Sequence, residues 1–263
     1  MKGGTLTAGR SPETVLRRLA EDAGLTSPSL VLKRLIAGSP WTHVAGRRPL
    51  YPASMIKVPL AAAILASGLP LESTAAVSQP NMTVNDLDSP LVPGYEASIA
   101  ELLELMITRS DNVATNVLID RLGRDHATAL VRLLGLRRTA IRRKLSGALP
   151  LIDDPEATGR NSHPAADAAA LFAAIAQRAI PGAALLLEML GRQRWNEKLA
   201  RGLQPGDRFC HKTGDTDEVT HDGGILETAQ GRRYVLVVYT ALPSSPQGDA
   251  RFVQFMDALR PLL

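Results

Sequence analysis

The chain has 263 residues, 45% of them hydrophobic and 21% charged, an ordinary composition for a folded protein with a sizeable core. Its single cysteine, Cys210, excludes an internal disulfide, a CxxC redox pair and a multi-cysteine zinc site. The 30 lysines and arginines exceed the 26 acidic residues by four without forming a basic run, and only 4% of residues are aromatic, so a nucleic-acid-binding role is not expected.

The longest apolar stretch, Val58 to Leu71, is broken by Pro59, Gly68 and Pro70 and is shorter than the ~20 residues a bilayer requires. No membrane partner is expected. The N-terminus lacks a hydrophobic signal core, so the chain reads as cytoplasmic as written, or as periplasmic or secreted if a leader was trimmed.

Residues 1–10 read as a small, polar tail. Ser11 and Pro12 open a helix that Gly24 ends. Strands follow at Ser29 to Ile36 and Trp41 to Ala45, and Ser54 to Ala66 reads as one helix buried on most sides. Turn residues crowd positions 67–95. Helices are predicted over Glu96 to Thr108, Ala114 to Leu122 and Asp125 to Leu134. An irregular polar segment, 138–163, precedes helices at Pro164 to Arg178 and from Gly182 into the 190s. Phe209 to Thr213, Gly223 to Glu227 and Tyr234 to Thr240 read as strands, the last a continuous apolar run suited to the centre of a sheet, and Phe252 to Leu259 as a closing helix.

The order predicts an α/β (α+β) chain forming one unit over 1–263. An antiparallel sheet subdomain takes about 11–53 and 200–263, and an all-helical subdomain is inserted over about 54–199.

Three motifs carry the chemistry. Ser54-Met-Ile-Lys57 is an S-x-x-K at a helix start, Ser110-Asp111-Asn112 an S-D-N between helices, and Lys212-Thr213-Gly214 a K-T-G on a strand. Each alone has a bland reading: a solvated pair, a helix cap, a strand end. In this order and context they are the signature of class A β-lactamases and penicillin-binding proteins. The chain resembles that serine-hydrolase superfamily over nearly its whole length.

The resemblance implies a β-lactamase or transpeptidase-like fold with a small-molecule acyl substrate, most simply a β-lactam ring amide, and no cofactor or metal. A serine hydroxyl needs a base to become a nucleophile at neutral pH. Ser54 is the expected nucleophile, and Lys57, one helical turn on, its base, kept neutral by burial and by the charge of Lys212. Ser110 would relay a proton to the leaving group. Asn112 would donate to a substrate amide and hold Lys57. Lys212 and Thr213 would bind a substrate carboxylate, and Gly214 completes the motif beside them. The backbone N–H groups of Ser54 and Asp215 would form the oxyanion hole.

Two departures stand out. Asp215 replaces the family's small residue after K-T-G and puts a carboxylate beside a site built for anions. The loop 142–149, where class A enzymes carry a water-activating glutamate, contains no carboxylate, and Asp153, Asp154 and Glu156 lie at the wrong spacing to replace it. The following stretch, Gly159 to Pro164, resembles a branch without that glutamate. The expectation is acylation on Ser54 with slow deacylation. An esterase or D-alanyl peptidase-like hydrolase, or a covalent sensor of β-lactams or peptidoglycan fragments, are the alternatives.

His43, His126 and His163 lack partners at metal-ligand spacing. His211 and His221 flank the K-T-G strand and are candidates, against the odds, for lining the pocket. Cys210, Trp41 and Trp195 read as packing residues, and Tyr51, just before Ser54, has two readings, one overhanging the cleft and one structural.

Overall fold

The computed structural model describes residues 11–83, 89–147 and 149–263, so the tail 1–10 lies outside the described residues. Its centre is an antiparallel sheet of β1 (Ser29–Arg34), β2 (Thr42–Val44), β5 (Arg208–Asp215), β6 (Thr220–Glu227) and β7 (Arg233–Thr240), in the order β2-β1-β7-β6-β5. The antiparallel sheet flanked by helices that the sequence predicts is therefore present.

Strand alternation sorts the apolar residues onto two faces. Leu30, Leu32, Leu236 and Val238 pack with Leu16 and Ala20 of α1 (Pro12–Asp22) and with Phe252, Phe255, Met256 and Leu259 of α8 (Pro246–Leu259). Val31, Val235, Val237 and Tyr239 face the other way, into the core of α2 (Lys57–Ala66) and α6 (Ala165–Ala176). Each fully buried Leu, Phe or Val is worth about 1.5–3 kcal/mol against exposure, so the two faces together drive the assembly. β7 is buried on both sides, as its unbroken apolar run requires.

Between β2 and β5 the chain builds α2, α3 (Ile99–Glu104), α4 (Asn112–Leu122), α5 (Arg124–Leu133), α6 and α7 (Ala183–Gly191). α2 is buried from Lys57 through Ile64, which is why its apolar residues show no single stripe.

Several predicted boundaries move. The helix predicted from Ser54 starts as a 3-10 turn, Ala53–Ile56, and becomes α-helical at Lys57. Pro59 has no N–H for the Met55 carbonyl, and the Lys57 N–H is directed at the Met55 and Ser54 carbonyls. The helix predicted over Glu96 to Thr108 is three elements. Glu96–Ser98 is a strand, β4, paired with β3 (Thr74–Ala76), a small sheet the sequence reading missed. Ser98 then caps α3 by accepting from the Glu101 N–H, and Leu105–Arg109 widens into a π-turn. The last helix begins at Pro246, capped by Ser245, six residues before the predicted Phe252. That is the same Ser-Pro signal that opens α1.

Candidate active site

The three motifs converge on a cleft of about 590 Å³ between the edge strand β5 and the helical elements. Ser54, Ser110, Asn112, Thr213 and Asp215 line it. Lys57 and Lys212 stand behind its wall with no exposed surface.

Local backbone explains the placement. Ala53 takes a left-handed φ of 46° just before Ser54, which turns the chain sharply into the 3-10 segment. Ser110 also sits in the left-handed region, at φ 61°, where the π-turn ends. π-turns are rare and recur at functional sites. Asp111 caps α4, its carboxylate accepting the Ala114 N–H at 2.8 Å. The helix-cap reading of S-D-N is thus correct for Asp111, while the residues on either side face the lysines.

Lys57 Nζ donates to the Ser110 carbonyl at 2.5 Å, to Asn112 Oδ1 at 2.7 Å and to Ser110 Oγ at 3.2 Å. Lys212 Nζ donates to Ser110 Oγ at 2.9 Å and to the Thr213 carbonyl at 3.0 Å. Burial, then the neighbouring charge of Lys57, hold the Lys212 amine well below the usual lysine range. Strand alternation turns Lys212 and Gly214 toward the Ser54 turn and the helices. A Cβ on Gly214 would meet the Pro52 carbonyl oxygen at 3.0 Å and the Met55 nitrogen at 3.1 Å. Glycine is what lets β5 approach the Ser54 turn this closely.

Asp215 does not leave a bare charge in the cleft. Both its oxygens lie 2.6 Å from Lys198 Nζ, and Thr220 Oγ1 donates to one of them at 2.6 Å. Burial pushes its carboxyl up, but the Lys198 charge and these hydrogen bonds outweigh that and hold it below the usual range. Lys198 carries no motif signal in the sequence.

The loop after α5 is pinned by side chains. Asn116 accepts the Leu145 N–H at 2.8 Å and donates to the Leu145 carbonyl at 2.9 Å. Asn161 Oδ1 accepts the N–H groups of Arg142 and Arg143, and Asp154 accepts that of Lys144. Leu145, Ser146 and Gly147 of the segment 142–149, which has no carboxylate, thereby form part of the cleft wall. Asp154 and Glu156 pair with Arg124, and together with Asp153 they line a different cavity, so they do not face Ser54.

The other weighed residues divide. His211 and His221 are buried and do not line the cleft. His211 bridges Asp222 and Asn196, fixing the 195–199 segment, and His221 stacks on Tyr239 and hydrogen-bonds the Tyr51 carbonyl. Trp195 corrects its expected packing role: it is 51% exposed, lines the cleft, and donates Nε1–H to the Arg109 carbonyl. Trp41 lies at the sheet edge under Lys33 Nζ, 4.7 Å from its ring centroid. Tyr51 lines the cleft beneath the Arg160 guanidinium. Cys210 is only partly buried, against Gly191. Among the described residues no three His, Cys, Asp or Glu side chains are grouped to hold a metal, and no helix is long and apolar enough to cross a membrane.

A family model described as the beta-lactamase enzyme family matches residues 11–256. The chain belongs to that family. It is a β-lactamase-like serine hydrolase, of the β-lactamase and transpeptidase fold. The solved structure of PBP-A is 26% identical over 94% of both chains, with a TM-score of 0.81. A leucine-to-glutamate variant of PBP-A, in an acyl-enzyme complex with penicillin G, gives 26% identity over 94% of both chains and a TM-score of 0.82. A β-lactamase from Sphaerobacter thermophilus is 25% identical, covering 94% of this chain and 96% of that one, with a TM-score of 0.79. No curated protein matches the sequence.

Proposed function

We propose that this β-lactamase-family chain opens a β-lactam ring amide by acylation of Ser54 and releases the acyl group slowly. The observation that carries the reading is the Lys57–Ser110–Lys212 chain behind the Ser54 wall, in a cleft whose loop side presents Leu145 and Ser146.

The neutral Lys57 amine takes the Ser54 hydroxyl proton as Oγ bonds to the carbonyl carbon. Negative charge collects on the carbonyl oxygen, which the N–H groups of Ser54 and Asp215 stabilise. One such donor is typically worth about 3 kcal/mol in the transition state. The ring C–N bond then breaks, and the leaving nitrogen receives a proton from Ser110 Oγ, which is replenished from the lysines. Asn112 keeps Lys57 aimed and donates to the acyl amide. Thr213 binds the far end of the substrate with Lys212 behind it, and Gly214 gives the strand its close approach.

Deacylation repeats the sequence with water as nucleophile: water oxygen bonds to the acyl carbon, Ser54 Oγ leaves and regains its proton. No carboxylate of segment 142–149 serves this second step, which sets its pace. PBP-A, the relative seen as a penicillin G acyl-enzyme in its variant form, supports the penicillin-type substrate.

Adduct lifetime tests the reading. After brief exposure to benzylpenicillin and removal of free drug, intact-mass spectrometry should show an acyl-enzyme that persists for hours while product accumulates slowly. Fast turnover with no accumulated adduct would overturn slow release. A folded chain that never gains mass would overturn the acylation.

A further inference from the structure

The strand-side end of the cleft already holds a carboxylate on its cation. Lys198 is 4% exposed, and its ammonium is gripped by both oxygens of Asp215 at 2.6 Å, with the His221 carbonyl at 3.4 Å completing its surroundings. Asp249 Oδ1 lies 4.0 Å from the same nitrogen, and Glu197 lines the same end of the cleft. Lys212, the other lysine of this wall, is buried behind it on Ser110 and its own strand.

We infer that Asp215 is a specificity-determining residue that occupies the place of a substrate carboxylate on Lys198, so that this enzyme prefers acyl donors whose group beside Thr213 is neutral. An anionic substrate entering here would have to displace a charge-assisted, two-oxygen contact held in place by Thr220 Oγ1. It would also lie against Asp215, Asp249 and Glu197, and like charges in such proximity select against a ligand. A neutral ester or amide meets neither obstacle. The burial of Lys198 favours keeping the pair: its ammonium left alone would be poorly solvated. The inference rests on the proposed acylation of Ser54 and names the substrate class that the site takes.

The test compares a chromogenic cephalosporin bearing its free carboxylate with the methyl ester of the same molecule, which differs at the charge. Second-order acylation rates are read by stopped flow and adducts by mass spectrometry. The native protein should acylate with the ester at least tenfold faster than with the acid. Asp215→Asn should move the acid-to-ester ratio toward the acid by tenfold or more, and adding Lys198→Met should remove most of that gain, because the freed cation is what captures the acid. A native protein that prefers the acid overturns the inference, as does an Asp215→Asn ratio equal to the native one. Should the variants fail to fold, the native ratio alone decides. Failure of both probes to form any adduct overturns the proposed acylation itself; adducts from both, with the acid preferred, overturn only the substrate class.

Discussion

Lys57 and Lys212 meet at one hydroxyl: their side-chain nitrogens stand 3.2 Å and 2.9 Å from Ser110 Oγ, and both side chains are fully buried. Burial, then the charge of Lys57, disfavours the protonated form of Lys212, so that the amines around this hydroxyl can exchange a proton at neutral pH. Ser110→Ala breaks the link and Lys57→Met removes the proposed base. Each should lower the acylation rate by about 10²–10⁴-fold, the usual scale of general acid–base catalysis, measured by stopped flow with a chromogenic cephalosporin. Native rates in Lys57→Met would remove that lysine from the mechanism.

Gly214 binds the sheet to the Ser54 turn by having no side chain. Gly214→Ala presses a methyl group against the Pro52 carbonyl and the Met55 nitrogen, both backbone atoms that cannot swing aside. The cost should be about 1–3 kcal/mol in urea unfolding, as for overpacking elsewhere, together with slower acylation from a displaced Ser54. Unchanged stability and rate would show that the approach is looser than described.

Leu145 is 5% exposed and held on the cleft wall by Asn116 through both backbone groups. Leu145→Glu supplies a carboxylate on the side of the cleft where this chain has Leu145 and Ser146. The benzylpenicillin adduct should then decay at least tenfold faster, with Leu145→Gln as the uncharged control. Equal lifetimes in the three proteins would place the slow step elsewhere.

Two histidines set an acid limit on stability. Burial lowers the pKa of His163 to about 3 and that of His221 to about 4, against 6.5 in the unfolded chain. Below pH 6.5 the unfolded state binds protons that the folded state refuses, so stability is full above that pH and declines as pH falls. At about 1.4 kcal/mol per unit, each histidine should remove about 2 kcal/mol by pH 5. Unfolding free energies compared at pH 7 and pH 5 check this, and equal values would contradict the burial of neutral imidazoles.

The motifs were readable because each is a short-range pattern tied to a local element: a helix start, a capped turn, a strand. The central strand was readable for a similar reason, since Tyr234 to Tyr239 is apolar at every position. What escaped depends on contacts between distant segments. Lys198 has no motif around it, and its role exists only because α8, β5 and β6 place Asp249, Asp215 and Thr220 near it. Asp215 could be seen as a departure, but its neutralising partner could not. Asn116, which holds the loop, looks like any residue of an amphipathic helix until Leu145 is seen against it. Trp195 reads as packing because large apolar rings usually are buried, whereas its indole N–H is used at the cleft. The Glu96–Ser98 strand is too short for alternation to register and merged into the helix that follows.

The most direct measurement is intact-mass and peptide-mapping spectrometry of the native chain and of Ser54→Ala after incubation with millimolar benzylpenicillin. The account predicts one adduct with the full mass of the drug, on the peptide that contains Ser54, and none on the variant. A folded native chain without an adduct, or an adduct that survives in Ser54→Ala, would contradict it.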